Sequence, residues 1–189
     1  DFLISRTDFV KSLVSFLSSS EERFGFVLKS IEEQEDFSKD KYEDPISDDE
    51  ESTNEKLAFL KKTKEEQRKI TYDKVKAAIH DNIQEIYKAV LYTLGNLAAG
   101  NTNQTQAIID CPGALVALAK FSEHEHPKLK KEAFYILSNI AAGTPPQIAV
   151  LLNTPEVITA VIKVVTDDKI SHGKCSKAEW DAKKDALWV

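Results

Sequence analysis

Apolar residues recur every three or four positions along much of this chain, which is the spacing of one buried face of an α-helix. The clearest stretch predicts a helix from about Ile83 to Ala99, with Gly100 placed to end it. A shorter amphipathic helix is predicted over residues 7–17. Further helices are predicted from about Asn54 onward (charged), and over Gln104–Asp110, Ala114–Phe121, Pro127–Ala142, Pro146–Leu152, Pro155–Val165 and Ala178–Val189.

Two of these helices end in nearly the same seven residues. Leu94–Gly100 reads LGNLAAG and Leu137–Gly143 reads LSNIAAG, an offset of 43 residues. Repeats of roughly 40–47 residues are typical of armadillo and HEAT arrays. Short, medium and long helices follow one another in that order, which favours the three-helix armadillo unit over the two-helix HEAT unit. The sequence therefore predicts an all-α fold, a right-handed α-solenoid of armadillo repeats.

Each of the two helices also carries a Tyr four residues before its Asn. The pairs are Tyr92 with Asn96 and Tyr135 with Asn139, and a third aromatic, Trp188, follows Tyr135 by 53 residues. Residues four apart share one helix face, so an aromatic ring and a carboxamide are expected side by side on one surface of the array. A loop over residues 166–177 accounts for the ten extra residues, at little cost in closure entropy.

This register divides the chain into three predicted segments. Residues 1–99 form a partial armadillo repeat with an acidic and charged insertion at about 19–80. Residues 100–143 form a complete repeat, and residues 144–189 form a repeat truncated in its third helix. Within the insertion, residues 21–54 are predicted to be a flexible acidic loop with one short helix near Phe24–Ile31.

Charge is unevenly distributed. The net charge is −6, but Glu21 to Glu55 alone holds 14 Asp and Glu against 4 Lys and Arg, so the remainder is near +4. An acidic chain is not expected to bind nucleic acid. No run of 18 apolar residues is present, so no membrane partner is expected. No secretory leader is visible, and the absence of Met with an end in mid-helix indicates a fragment of a longer protein.

Catalytic and metal chemistry find little support in the residue pattern. Cys111 and Cys175 lack a metal-ligand spacing and are expected to be unpaired thiols in a reducing compartment. The loop containing His124 and His126 is interpreted as a solvated turn, and the Asp167-Asp168 pair as surface. No nucleophile–base pair, phosphate loop or metal cluster is recognised, so we expect a binding protein without a cofactor rather than an enzyme.

Three stretches resemble the importin-α family, the adaptors that carry nuclear-localisation-signal cargo. Leu94–Gln106 is similar to that family's GN-(I/L)-x-x-G-x-x-x-QTQ stretch, Lys130–Asn139 to its RKEAxWxxSN signature, and Lys183–Trp188 to the next copy of that signature. The similarity is good over residues 83–189, fair over 1–18 and absent over 21–80. The order of motifs is similar to the C-terminal half of the family's array, which carries its minor signal-binding site.

The resemblance implies a function and a set of site residues. In the family, third helices line a concave groove in which Asn holds the backbone of an extended basic peptide, Trp forms slots for Lys and Arg, and carboxylates receive the cationic heads. It also implies importin-β and an export receptor as partners, and shuttling between cytoplasm and nucleus. The positions carried over are Tyr92, Asn96, Glu132, Tyr135, Asn139, Asp185 and Trp188, with Tyr in place of Trp at residue 135.

Other interpretations of the same residues stay open at this point. The tyrosines could be core residues, and an Asn near a helix end often hydrogen-bonds its own backbone. The function could equally be that of a generic armadillo scaffold or chaperone cofactor with no role in import.

Overall fold

The structure is a computed structural model, and it describes residues 8–19, 29, 51–167 and 175–189. The described residues are helical and contain no β-strand. Two predicted loops lie wholly or partly outside this description. They are the acidic loop before residue 51, including its short helix apart from Lys29, and residues 168–174 of the loop predicted at 166–177. The helices are α1 (8–19), α2 (Glu51–Ala98), α3 (Thr102–Ile109), α4 (Ala114–Ser122), α5 (Pro127–Ala141), α6 (Pro145–Leu152), α7 (Pro155–Val165) and α8 (Lys177–Ala186).

The chain divides into two compact units. One comprises Asp1–Glu21 with Gln84–Val189, and the other comprises Glu22–Ile83. In the second unit the described part is the first two-thirds of α2, a charged helix whose Lys76 Nζ lies 5.8 Å from the centre of the Tyr72 ring. The candidate groove residues all lie in the first unit.

Helix α2 corrects one sequence prediction. A charged helix from about Asn54 and a separate apolar helix from Ile83 were expected, but a single helix runs from Glu51 to Ala98. The physical reason is the absence of a breaker, since neither Pro nor Gly occurs between Glu51 and Leu94. Lys, Glu, Gln, Arg and Ala are strong helix formers, so the change from polar to apolar pattern does not interrupt the backbone.

Like helices pack on like helices in the first unit. Helix α3 contacts α6, α4 contacts α7, and α5 contacts α8, each pair being one repeat apart in the sequence. Stacking of this kind defines a solenoid, in which each repeat contacts only its neighbours. Each repeat has a short first helix of eight residues and two longer helices after it, and these first helices begin 43 residues apart, at Thr102 and Pro145. The first unit is therefore an α-solenoid of armadillo type. The predicted fold class is therefore confirmed.

Helix α1 and the end of α2 pack together although about 65 residues separate them in sequence. The ring of Phe16 lies edge-on to that of Tyr87, with centroids 6.1 Å apart, and Tyr87 in turn meets Phe121 of α4 at 4.9 Å. Val10, Val14 and Leu17 on one face of α1 are buried. The division of the chain into the segments 1–99, 100–143 and 144–189 stays a prediction.

Matching glutamines open the first helix of each repeat. The backbone N–H of Asn101 donates to Gln104 Oε1 at 2.9 Å, and that of Thr144 donates to Gln147 Oε1 at 3.0 Å. Both follow the capping-box arrangement, in which a side chain satisfies a backbone group that the helix leaves unpaired. Gln147 is fully buried, and its Nε2 also donates to the carbonyl oxygen of Thr102 at 3.1 Å, so it joins two repeats.

Two glycines allow these caps to form, for a reason the sequence did not indicate. Gly100 and Gly143 do follow the ends of α2 and α5, but among the described glycines a positive φ, the usual reason for glycine there, occurs at Gly113 (77°). A Cβ on Gly100 would lie 2.0 Å from Gln104 Oε1, and one on Gly143 would lie 2.4 Å from Gln147 Oε1. Both positions are therefore occupied by glycine because a capping carboxamide fills the space of a side chain.

No single described helix is long and apolar enough to cross a membrane. Helices α6 and α7 together reach the required length and composition, but they are bent by 79° relative to each other.

The substitution Gly143→Ala is expected to lower the free energy of unfolding by about 1–2 kcal/mol, the value of a lost cap and its hydrogen bonds. The new Cβ would displace the Gln147 carboxamide and approach the Ile140 carbonyl oxygen at 2.9 Å. Urea denaturation followed by circular dichroism measures the change. In a Gln147→Ala background the same substitution should cost less, and an equal cost in both backgrounds would contradict the explanation.

Candidate functional site

Three aromatic side chains that the sequence singled out are exposed. Tyr92 on α2 is 63% exposed, Tyr135 on α5 is 38% exposed, and Trp188 after α8 is 75% exposed. Exposure excludes the interpretation of the tyrosines as core residues. We call each of these aromatics, together with two neighbours in the sequence, a rung. The neighbours are the residue three positions before the aromatic and, for Tyr92 and Tyr135, the Asn four positions after it.

The Tyr135 rung rests directly on the neighbouring repeat. A Cβ built on Gly95 of α2 would lie 3.3 Å from Cδ1 and Cε1 of Tyr135. The ring therefore packs against the backbone of α2 at a glycine, while its other side remains partly accessible. Sequence reasoning missed this role of Gly95, although the small residue directly before each Asn, Gly95 and Ser138, is a signal that could have revealed it.

Asn139 makes the local backbone hydrogen bond that the alternative interpretation expected. Its Nδ2 donates to the carbonyl oxygen of Tyr135 at 2.8 Å, and Ser138 Oγ donates to the same oxygen at 2.9 Å. An Asn side chain has two N–H donors and an oxygen that accepts. The amide is therefore held in one orientation and still has the chemical capacity to bind a peptide backbone. Asn96, its counterpart on α2, is exposed.

Trp188 lies beyond the end of its helix, which corrects the prediction of a helix to Val189. Helix α8 ends at Ala186, and the Trp188 N–H donates to the Asp185 carbonyl oxygen at 3.1 Å. This bond spans three residues instead of four, the tighter winding that is common in the last turn of a helix. The third rung thus stands on a turn.

Charged side chains of α5 and α8 surround the second and third rungs. Lys131 Nζ lies 3.1 Å from Glu132 Oε1, and Lys184 Nζ lies 3.4 Å from Asp181 Oδ1. The hydrogen bond to Glu132 raises the pKa of Lys131, and the charges of Asp181 and Asp185 on α8 act in the same direction. Two lysines therefore sit among three carboxylates at this place.

Asp185 has an unfavourable position for a carboxylate. Burial raises the pKa of Asp185 above its ordinary value, and Asp181 and Glu132 push in the same direction, against the opposing effect of Lys184 and Lys131. A carboxylate whose charged form is disfavoured by burial gains from an added cation. A cationic side chain arriving here would therefore meet a charge that the free protein compensates incompletely.

The histidine loop is less solvated than predicted. The His124 ring stacks on Phe121 with centroids 5.8 Å apart, and its Nδ1 accepts a hydrogen bond from the His126 N–H at 3.0 Å. Nδ1 of His126 is buried and has no hydrogen-bond partner among the residues that the structure describes, and burial lowers the pKa of His126. The physical reason is the shortness of the loop: α4 ends at Ser122 and α5 begins at Pro127, so the His124 ring stays beside the buried Phe121. Across the described ranges, no group of His, Cys, Asp and Glu side chains is placed to hold a metal ion.

Comparisons with known proteins add a structural likeness. No protein-family model matches the chain, and no curated protein matches it. Matching solved structures include a designed armadillo repeat protein in complex with the peptide (KR)4, with a TM-score of 0.45 and 29% sequence identity. The alignment covers 55% of this chain and 38% of that chain, so the match spans well under half of the designed protein. The armadillo-type class of this chain rests on its own helix packing.

The substitution Asp185→Asn is expected to raise the melting temperature at pH 7 by about 1–3 °C. Because the pKa of Asp185 is raised in the folded state, the neutral form stabilises the fold at low pH, and this stabilisation is lost as the pH rises through the folded pKa. Asn keeps the neutral state at every pH. The gain should therefore disappear below about pH 3.8, where the carboxyl is protonated in both states.

Thermal denaturation at pH 7 and at low pH provides the measurement. Asp181→Asn is the matched control, because it removes the same charge one turn earlier and breaks the ion pair with Lys184. A lower melting temperature for Asp185→Asn at pH 7 would show that the carboxylate stabilises the fold.

Proposed function

We propose that this chain is a peptide-binding repeat scaffold that holds basic nuclear localisation signals in a concave groove, and acts as an adaptor in nuclear import. The observation that carries the proposal is the exposed ladder of Tyr92, Tyr135 and Trp188 at repeat spacing, accompanied by Asn and carboxylate side chains. The groove residues in this proposal are Tyr92, Asn96, Glu132, Tyr135, Asn139, Asp185 and Trp188.

The chemistry of the ladder suits an extended basic chain. Such a peptide has an unpaired N–H and C=O on every residue, and the side chains of Asn96 and Asn139 offer both a donor and an acceptor. Aromatic faces attract Lys and Arg, with about 0.5–2 kcal/mol for each contact. Glu132 lies three residues before Tyr135 on the same side of α5, and Asp185 lies three residues before Trp188 in the turn that ends α8, so both can receive the cationic heads.

The wider setting follows from the resemblance to the importin-α family and belongs to the proposal. It comprises importin-β and an export receptor as further partners, and movement between cytoplasm and nucleus. The rival function is a generic armadillo scaffold without a role in import. A scaffold of that kind would have no reason to prefer Lys and Arg over other residues in an extended ligand.

A fluorescently labelled (KR)4 peptide, titrated with the protein at low salt, provides the test. We expect binding that weakens as salt screens the charges. Tyr135→Ala should reduce the affinity roughly 2- to 30-fold, which corresponds to the loss of one cation–π contact. Asn139→Ala and Trp188→Ala should each weaken binding further when added to it.

Trp180→Ala is the matched control for Trp188→Ala. Trp180 is also an exposed Trp, at 54%, but it lies in the first turn of α8, whereas Trp188 follows the end of that helix. This control should leave the affinity unchanged within two-fold. Absence of binding at low salt, or equal affinity of the wild type and the Tyr135→Ala, Asn139→Ala, Trp188→Ala triple variant, would refute the import function.

A further inference from the structure

The three rungs differ in the residue that precedes each aromatic by three positions. Asp185 stands there before Trp188 and Glu132 before Tyr135, but Ala89 stands there before Tyr92. Residues three apart lie on the same face of a helix, so this position is the one from which a carboxylate can reach a cation over the ring. Ala89 is exposed and offers no charge.

The Tyr92 rung also differs from the others in charge. Lys88 lies four residues before Tyr92, and its Nζ donates to Glu85 Oε1. Glu85 lies two turns before the ring, and the hydrogen bond to Lys88 lowers its pKa. Within one turn of Tyr92 a cation is therefore present without an acid beside it.

The other two rungs each have a lysine and a carboxylate within one turn of the ring. Lys131 and Glu132 form an ion pair before Tyr135, and Lys184 and Asp185 precede Trp188, with Asp181 paired to Lys184. Along the ladder the acid is thus present at the Tyr135 and Trp188 rungs and missing at the Tyr92 rung. The Debye length is roughly 10 Å at 0.1 M salt, so this difference should act most strongly at low salt.

We infer that the groove is selective for peptides whose charge lies on one side. Lys and Arg occupy the Tyr135 and Trp188 rungs, and a residue without positive charge occupies the Tyr92 rung. This inference rests on the proposed function and specifies its substrate class, a basic cluster flanked on one side by uncharged or acidic residues. Ala89 is the residue that determines this specificity.

The dimensions of the ladder set the length of the probe. Packed helices are about 8–10 Å apart and an extended chain advances about 3.3–3.6 Å per residue, so neighbouring rungs are roughly three residues apart. An eight-residue peptide therefore spans all three rungs. (KR)4 places a cation at every rung, while the sequences KRKRKAAA and AAAKRKRK each leave one end uncharged.

Binding of these three peptides to the full chain, measured by fluorescence anisotropy, tests the peptide side. One of the two half-substituted peptides should bind at least as tightly as (KR)4 despite its three missing cations, because the positive end of the groove does not attract them. The other should bind more weakly. Replacing the three alanines of the tighter peptide by aspartates should leave its affinity unchanged or improve it.

Ala89→Glu tests the protein side. The new carboxylate supplies the missing acid, and we expect it to raise the affinity for (KR)4 about two- to five-fold, in keeping with an exposed ion pair. The affinity for the tighter half-substituted peptide should not rise. Ala89→Gln is the control, since it has the same size without the charge and should behave as the wild type. Circular dichroism checks that each variant is folded.

The outcomes separate this inference from the function on which it rests. If no basic peptide binds at low salt, the proposed function fails. A second outcome is that (KR)4 binds, both half-substituted peptides lose affinity alike, and the Ala89→Glu and Ala89→Gln variants have equal affinities. The groove would then prefer Lys and Arg at all three rungs. In that case the one-sided specificity is overturned while the peptide-binding function stands.

Discussion

Stacking of like helices is the constraint on which the described array depends, and the buried Gln147 carboxamide shows how its register is held. One amide caps its own helix through Thr144 and bonds the preceding repeat through Thr102. A buried amide left without these partners would cost roughly 1–3 kcal/mol, so a slipped register is strongly disfavoured. Because the register is shared by all three helices, the exposed faces of α2 and α5 present Tyr and Asn at matching positions.

Small residues make that stacking close enough to matter for binding. Gly143 leaves room for the capping carboxamide, and Gly95 lets the Tyr135 ring lie against the neighbouring helix. The absence of a side chain thus stabilises the fold at Gly143 and shapes the candidate groove at Gly95. A ring supported from behind loses little freedom when a ligand side chain packs on its front, which lowers the entropic cost of binding.

The charges in the candidate groove reduce the stability of the free protein and favour the binding of a cation. Lys131 and Lys184 partly neutralise the carboxylates of α5 and α8, but burial still raises the pKa of Asp185. A site of this kind is less stable than a neutral surface and is better prepared for a cation. Residues that carry function often have such a cost, which the packing of the surrounding repeats must offset.

Much of the fold was predictable from the sequence because its determinants are local. Apolar spacing, prolines at helix starts and the 43-residue repeat specify the helices, their order and the Tyr and Asn ladder. Other features depend on distances between helices, which no local pattern encodes. The tertiary structure alone decided that Gly100 and Gly143 accommodate a side chain, that Tyr135 rests on Gly95, and that Lys131 of α5 lies among the carboxylates of α8.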